Sequence, residues 1–209
     1  TKNMTTSAGN TVAVKVGIVG VTKQELSTYY EYDGVLEGES ILKTVREQAA
    51  ALKSAGADIV VVIGHCGMGE ANDGDSAADP GYGISKLANV DCVMLGHQHR
   101  NYPSNDASTK IFYQLPNTDK TTRLTNGKPV VMVADHAAGI GIADMTLKID
   151  NGKVSVVHAA TEVRKSSESI RDDQNIVAVD EKSANIIKNT FKEVLASVAS
   201  GSVFHGYFG

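Results

Sequence analysis

Residues 57–67 read ADIVVVIGHCG: five consecutive β-branched residues, Ile59 to Ile63, run into a Gly-His-Cys-Gly turn. An unbroken apolar run of this length, without polar alternation, is the pattern of a strand covered on both faces, as in parallel sheets. Upstream, Glu39 to Ser54 places Ile41, Leu42, Val45, Ala49 and Leu52 on one helical face, with Gly56 positioned to end the helix. Before that, TVAVKVGIVG (residues 11–20) alternates and then becomes almost wholly apolar, which predicts a first strand. Strand, helix, strand in this order implies a right-handed crossover and parallel pairing. Downstream, a polar loop with Asp73, Asp75, Asp79 and Pro80 leads to a short predicted helix near Ile84 to Ala88 and a third buried strand at Asp91 to Leu95. The βαβ unit thus repeats, and the class is α/β.

The second half changes character. Asn126-Gly127 and Asn151-Gly152 read as hairpin turns between the runs Pro129 to Val133, Ile140 to Ile149 and Lys153 to Val163, so antiparallel strands and mixed sheets are expected. Lys165 to Asp173 is charged and Ser-rich. Ile176 to Val198 returns to helical spacing, which predicts a linker and a terminal helix over 166–209 after a main body at 1–165.

With 209 residues and 42% hydrophobic content, the chain is expected to form one domain, or most of one. Its 20 Lys+Arg against 24 Asp+Glu give a formal charge of −4, which supplies no basic surface for duplex nucleic acid. No apolar run reaches the ~20 residues of a membrane span, and Thr1 to Asn10 lacks the basic and apolar regions of a secretory signal. Two cysteines, Cys66 and Cys92, are too few for a disulfide framework and are expected as free thiols.

Three of the six histidines fall in two short motifs, Gly64-His65-Cys66-Gly67 and Gly96-His97-Gln98-His99, each after a predicted parallel strand. Ligands of open α/β sheets bind at the carboxyl ends of the strands, so both motifs should reach one crevice. Converging imidazoles suit a transition metal. A lone histidine after a strand is more often a solvated loop residue, and an H-x-H on a regular strand could simply pair with carboxylates. Both motifs together favour metal binding.

The text KVGIVGVT, KSAGADIVVVIGHCG, VDCVMLGHQHRNYPS and NGKPVVMVADHAAGIGIADMTLKIDNGKVSV resembles the calcineurin-like metallophosphoesterases, particularly bacterial 5′-nucleotidases and 2′,3′-cyclic-nucleotide 2′-phosphodiesterase/3′-nucleotidases. Tyr102-Pro103-Ser104 tilts the resemblance toward the cyclic-nucleotide branch. The resemblance implies a four-layer αββα sandwich, of which residues 1–165 are a C-terminal portion. It implies two divalent cations (zinc, manganese, iron or similar), with His65 and His97 on one and His99 on the other. A two-metal-activated hydroxide would attack a nucleotide or other small phosphoester. A periplasmic, cell-wall or secreted location goes with the family.

The same resemblance places further ligands, D-x-H, a bridging Asp and G-N-H-[DE], upstream of the first strand; they are not in these residues. Two neighbouring cations need a bridging anion, which three neutral histidines cannot supply. The chain is therefore expected to carry part of a site, without an assigned catalytic residue and inactive alone, and to need an N-terminal half of the same domain. A C-terminal nucleotidase domain would follow residue 209. Local departures are Cys66 where Ser is usual, and Ala134, His136 and Ala137 where Gly, an aromatic and Gly are usual; His136 is expected to fill the aromatic's space. His158 and His205 are expected to be structural or exposed.

Two rival readings stand beside this one. Gly64-His65-Cys66-Gly67-Met68 approaches the G-x-C-x-G elbow of cysteine hydrolases, with Cys66 as nucleophile, although Met68 breaks the second glycine. A non-catalytic module holding one structural ion would also use the histidines.

Overall fold

The computed structural model describes residues 1–24, 35, 37–71, 74–134, 139–165, 185 and 189. The chain divides into two compact units, Thr1–Glu168 and Ser169–Gly209. In the second, Asn185 and Asn189 are described and both are helical; the rest of the helix expected over 176–198 lies outside the described residues.

The first unit opens with a hairpin that the sequence pattern did not announce, Lys2–Thr5 (β1) paired antiparallel with Thr11–Val14 (β2). Val16–Thr22 (β3) follows, so the single strand expected over 11–20 is two. The break falls at Lys15, whose N–H donates to Asp58 Oδ2 at 2.7 Å and whose carbonyl accepts the Asp58 N–H at 2.8 Å. Those bonds take residue 15 out of the β1–β2 ladder.

Helix α1 (Ile41–Ser54) begins where Ser40 Oγ accepts the Lys43 N–H at 3.2 Å. It ends in a Schellman pair, Gly56 N–H to Lys53 O at 3.0 Å and Ala57 N–H to Leu52 O at 2.9 Å, which requires the left-handed Gly56 at φ +87°. Then come β4 (Ile59–His65), α2 (Gly81–Ser85), β5 (Cys92–Leu95) and a 3-10 segment at Ala107–Gln114. Helix α2 starts three residues earlier than predicted. Its first amides dock on the preceding loop, Gly81 N–H to Gly67 O and Tyr82 N–H to Met68 O.

Leu124–Thr125 (β6) and Lys128–Met132 (β7) complete a five-stranded sheet in the order β3-β4-β5-β7-β6. Strands β3, β4, β5 and β7 are parallel, and β6 is antiparallel to β7. The antiparallel expectation for 129–133 therefore holds on one edge only. The Asn126-Gly127 turn (φ 51° and 75°) reverses β6 into β7, but β7 then lies parallel beside β5. Gly139–Asp150 (β8) and Lys153–Lys165 (β9) form the expected antiparallel ribbon through Asn151-Gly152.

One sheet face packs on the helices, with Val19, Val60, Val62, Val93, Val130 and Met132 in the same buried cluster as Ile41, Val45 and Ala49 of α1. Burial of each such side chain contributes roughly 1.5–3 kcal/mol, so this face dominates the stability of the unit. On the other face Val131 is 2% exposed because β8 crosses it: a Cβ on Gly141 would stand 2.3 Å from Val131 Cγ1. At the far end of that face Ile18 is 62% and Ile63 49% exposed. The result is a helix layer, a mixed sheet and a second β layer over part of the sheet, the α/β sandwich expected as an incomplete portion.

Asp91 locks the interior edge. Its Oδ2 accepts both Lys53 Nζ at 2.7 Å and the Val60 N–H at 2.8 Å, joining the end of α1 to β4 and the start of β5.

Candidate functional site

Parallel pairing of β4 with β5, in the register Ile63↔Met94 and Gly64↔Leu95, sets their carboxyl ends side by side. His65 is the last residue of β4, and His97 lies two residues beyond β5. Strand alternation puts His65 on the face of Ile63, away from α1. His65 Nε2 and His97 Nδ1 are 3.4 Å apart, with the rings edge-to-face at 5.1 Å between centroids.

That separation is long for a ring-nitrogen hydrogen bond, which prefers about 2.7–3.2 Å. Two nitrogens each about 2.05 Å from one tetrahedral zinc ion would be about 3.3 Å apart. The pair could therefore hold one cation. Among the described residues no group of three or more His, Cys, Asp or Glu side chains converges to hold a metal. The fold thus brings His65 and His97 together and leaves the exposed His99 outside that pair. Asp75 points elsewhere, engaged by Arg46 at 2.7 and 3.3 Å, and that guanidinium bond holds its carboxyl below the usual range. His158 is exposed on β9. Asp73, His136 and His205 lie outside the described residues.

The loop carrying His97 and His99 is not a continued strand. Both histidines are left-handed, at φ 69° and 54°. For a residue other than Gly this costs on the order of 1–3 kcal/mol and persists only where surroundings impose it. Gln98, between them, is held by two bonds to neighbouring loops. Its Oε1 accepts the Met68 N–H at 3.0 Å, and its Nε2 faces Asp79 Oδ2 at 3.4 Å. Asp79 Oδ1 in turn accepts the Gly67 N–H at 2.6 Å and lies 3.6 Å from Lys23 Nζ. Gly67 is where the close approach occurs, since a Cβ there would stand 2.1 Å from Gln98 Cδ. Gly96, by contrast, has room for a Cβ, the nearest atom being His65 Nδ1 at 3.9 Å.

Sequence reading missed Asp79 and Gln98 as site residues. The available signals were an amide between two histidines and an acidic residue just before the α2 turn.

Cys66 is fully buried, and burial foremost, with the charge of Asp79 adding, pushes its thiol up to about 12. A nucleophilic cysteine needs the opposite shift and access to solvent, so the geometry disfavours the elbow reading. Cys66 and Cys92 are both free thiols, as expected.

Comparison with known proteins agrees with the fold. The chain aligns over 95% of its length with the crystal structure of the calcineurin-like phosphoesterase YfkN from Bacillus subtilis, at a TM-score of 0.81 and 22% identity, covering 57% of that chain. The chain has the fold of a calcineurin-like phosphoesterase. It is 29% identical over 182 residues to the 2′,3′-cyclic-nucleotide 2′-phosphodiesterase/3′-nucleotidase of Salmonella typhimurium, an alignment covering 86% of this chain and 27% of that protein. It is 26% identical over 200 residues to the trifunctional nucleotide phosphoesterase protein YfkN of Bacillus subtilis, covering 94% of this chain and 13% of that protein. The chain thus spans about a quarter or less of these curated relatives. No protein-family model matches it. No helix among the described residues is long and apolar enough to cross a membrane.

Proposed function

We propose that this chain forms the C-terminal part of a metal-dependent phosphoesterase site that hydrolyses nucleotides, 2′,3′-cyclic phosphodiesters and 3′-nucleotides foremost, with 5′-nucleotides as the next candidates. The observation that carries the reading is the 3.4 Å separation of His65 Nε2 and His97 Nδ1 at the carboxyl edge of a parallel sheet. In it His65 and His97 hold one divalent cation and His99 a second. Such ions supply charge neutralisation at a phosphoryl group and lower the pKa of bound water. The chain's own part is to present neutral imidazoles in fixed register. The bridging and remaining anionic ligands come from an N-terminal portion of the domain, a view supported by the greater length of the relatives. Residues 1–165 then belong to the phosphoesterase body and 166–209 to a linker and helix, and the family's periplasmic or secreted location goes with this assignment.

Elemental analysis and turnover of the full-length protein test this. The wild type is expected to hold two divalent ions and to hydrolyse 2′,3′-cyclic AMP. His97→Ala and His65→Ala should each lose one ion and activity while remaining folded, and His99→Ala should lose the other. Convergence of only two of the three histidines favours a second reading, a single structural ion. A stoichiometry of one, with His97→Ala unfolding rather than inactivating the protein, would establish that alternative and sink the first.

A further inference from the structure

The two histidine loops are joined by side chains that ligate nothing. We propose that Asp79 and Gln98 are positioning residues, a carboxylate–amide clamp that sets the His65 loop against the His97 loop and thereby fixes the spacing of the metal-holding pair. The proposal rests on the metal reading above for its consequence, but its geometry is independent of it.

Five contacts define the clamp. On the β4 side, the Gly67 and Met68 N–H groups point away from any ladder and donate to Asp79 Oδ1 at 2.6 Å and Gln98 Oε1 at 3.0 Å. Between the two side chains, Gln98 Nε2 donates to Asp79 Oδ2 at 3.4 Å. Behind them, the Gly67 and Met68 carbonyls accept the first amides of α2, Gly81 N–H at 2.9 Å and Tyr82 N–H at 2.6 Å. Two successive residues just beyond His65 are thus bonded through both N–H and C=O, their N–H groups to Asp79 and Gln98.

On the β5 side the amide belongs to the residue between two left-handed histidines. Holding Gln98 at both ends is what keeps a loop of this conformation in place. Outer partners of metal ligands usually bond the ligand ring itself; here the clamp acts one to three residues along the backbone, on the loops that carry the rings.

Each atom has one workable role. Asp79→Asn must keep an oxygen toward the Gly67 N–H, so its NH2 meets the NH2 of Gln98. Turning the Gln98 amide over would only move the clash to the Met68 N–H. Gln98→Glu keeps an acceptor for Met68 but sets carboxylate against carboxylate. The double variant Asp79→Asn/Gln98→Glu restores donor to acceptor at every contact and preserves the net charge.

The test uses the full-length protein and zinc alone, with affinity read by chelator competition and exchange of the Gly67 and Met68 amides read alongside. Each single variant is expected to weaken zinc binding by about 10–100-fold, the range for lost outer-sphere support, and to speed both amides. The double variant should recover both. Should Gln98→Glu fail to fold, Gln98→Met, a neutral side chain of similar shape, takes its place as the single and should show the same losses. Unchanged exchange in the singles, or a double variant that recovers neither readout, would overturn the clamp. A wild type that binds no zinc while the amide cycle still shows rescue leaves the clamp standing and removes the metal reading.

Discussion

Replacing Gly67 by alanine adds one methyl group at the point where the two histidine loops touch. The new Cβ would lie 2.1 Å from Gln98 Cδ, 2.3 Å from Cγ and 2.6 Å from Nε2, all inside contact distance. Gly67 is not left-handed, so the backbone tolerates the change and the conflict is steric. Its nearest neighbours are all atoms of one flexible side chain, so relief comes from expelling Gln98. Expulsion leaves the N–H of the fully buried Met68 without its acceptor. An orphaned buried donor costs about 1–3 kcal/mol, and the longer amide–carboxylate bond adds less, for a total of about 2–3 kcal/mol.

Urea denaturation of the wild type, Gly67→Ala, Gln98→Ala and the double variant measures this. With the glutamine already truncated, the methyl group has space, and its added cost should fall below about 0.5 kcal/mol. The coupling between the two sites is then about 2 kcal/mol, large for any pair not in contact. Strictly additive costs, or a Gly67→Ala protein as stable as wild type, would refute the packing argument.

Alkaline pH should destabilise the fold through its buried thiols. Burial foremost pushes Cys66 up to about 12 and Cys92 to about 11. Below pH 9 both folded and unfolded chains keep these protons, so nothing changes; above it the unfolded chain releases them first, and stability falls by up to about 1.4 kcal/mol per pH unit for each thiol. Denaturation midpoints at pH 8, 9 and 10 should show the decline, and a Cys66→Ala/Cys92→Ala protein that declines just as steeply would assign it elsewhere. Asp91→Ala should cost about 2–4 kcal/mol, because it strips the Val60 N–H of its acceptor and leaves Lys53 Nζ only the Asp58 carbonyl. Asp91→Asn, whose single oxygen can take both bonds, should cost less than half as much by thermal unfolding; equal costs would contradict the hydrogen-bond account.

What was legible in the sequence was local. Ile59 to Ile63 could be read as a strand because every residue in it is β-branched, although the expected cover on both faces fails at Ile63; strand order then carried His65 and His97 to one edge. The pairing of β7 with β5 was not legible, because Asn126-Gly127 reports only the turn it makes and says nothing about the strand's other edge. Nor was the break at Lys15, which depends on Asp58, 43 residues away. The left-handed turns at His97 and His99 were not legible either, since the bonds of Gln98 beside them reach Met68 and Asp79 on another loop. Gln98 looked like a spacer between ligands because its partners appear only when β4 and β5 are adjacent.

Under the proposed function, the left-handed histidines also make stability and ligand supply pull in opposite directions at two positions. Glycine and asparagine are the residues that accept φ near +60° most readily. A population screened only for resistance to unfolding should therefore drift toward them at residues 97 and 99, gaining heat tolerance as it loses donors. Alanine scanning there mixes two effects, since alanine removes the ring and keeps the backbone penalty. Asparagine at either position separates them: whatever function disappears while the melting temperature rises belonged to the imidazole.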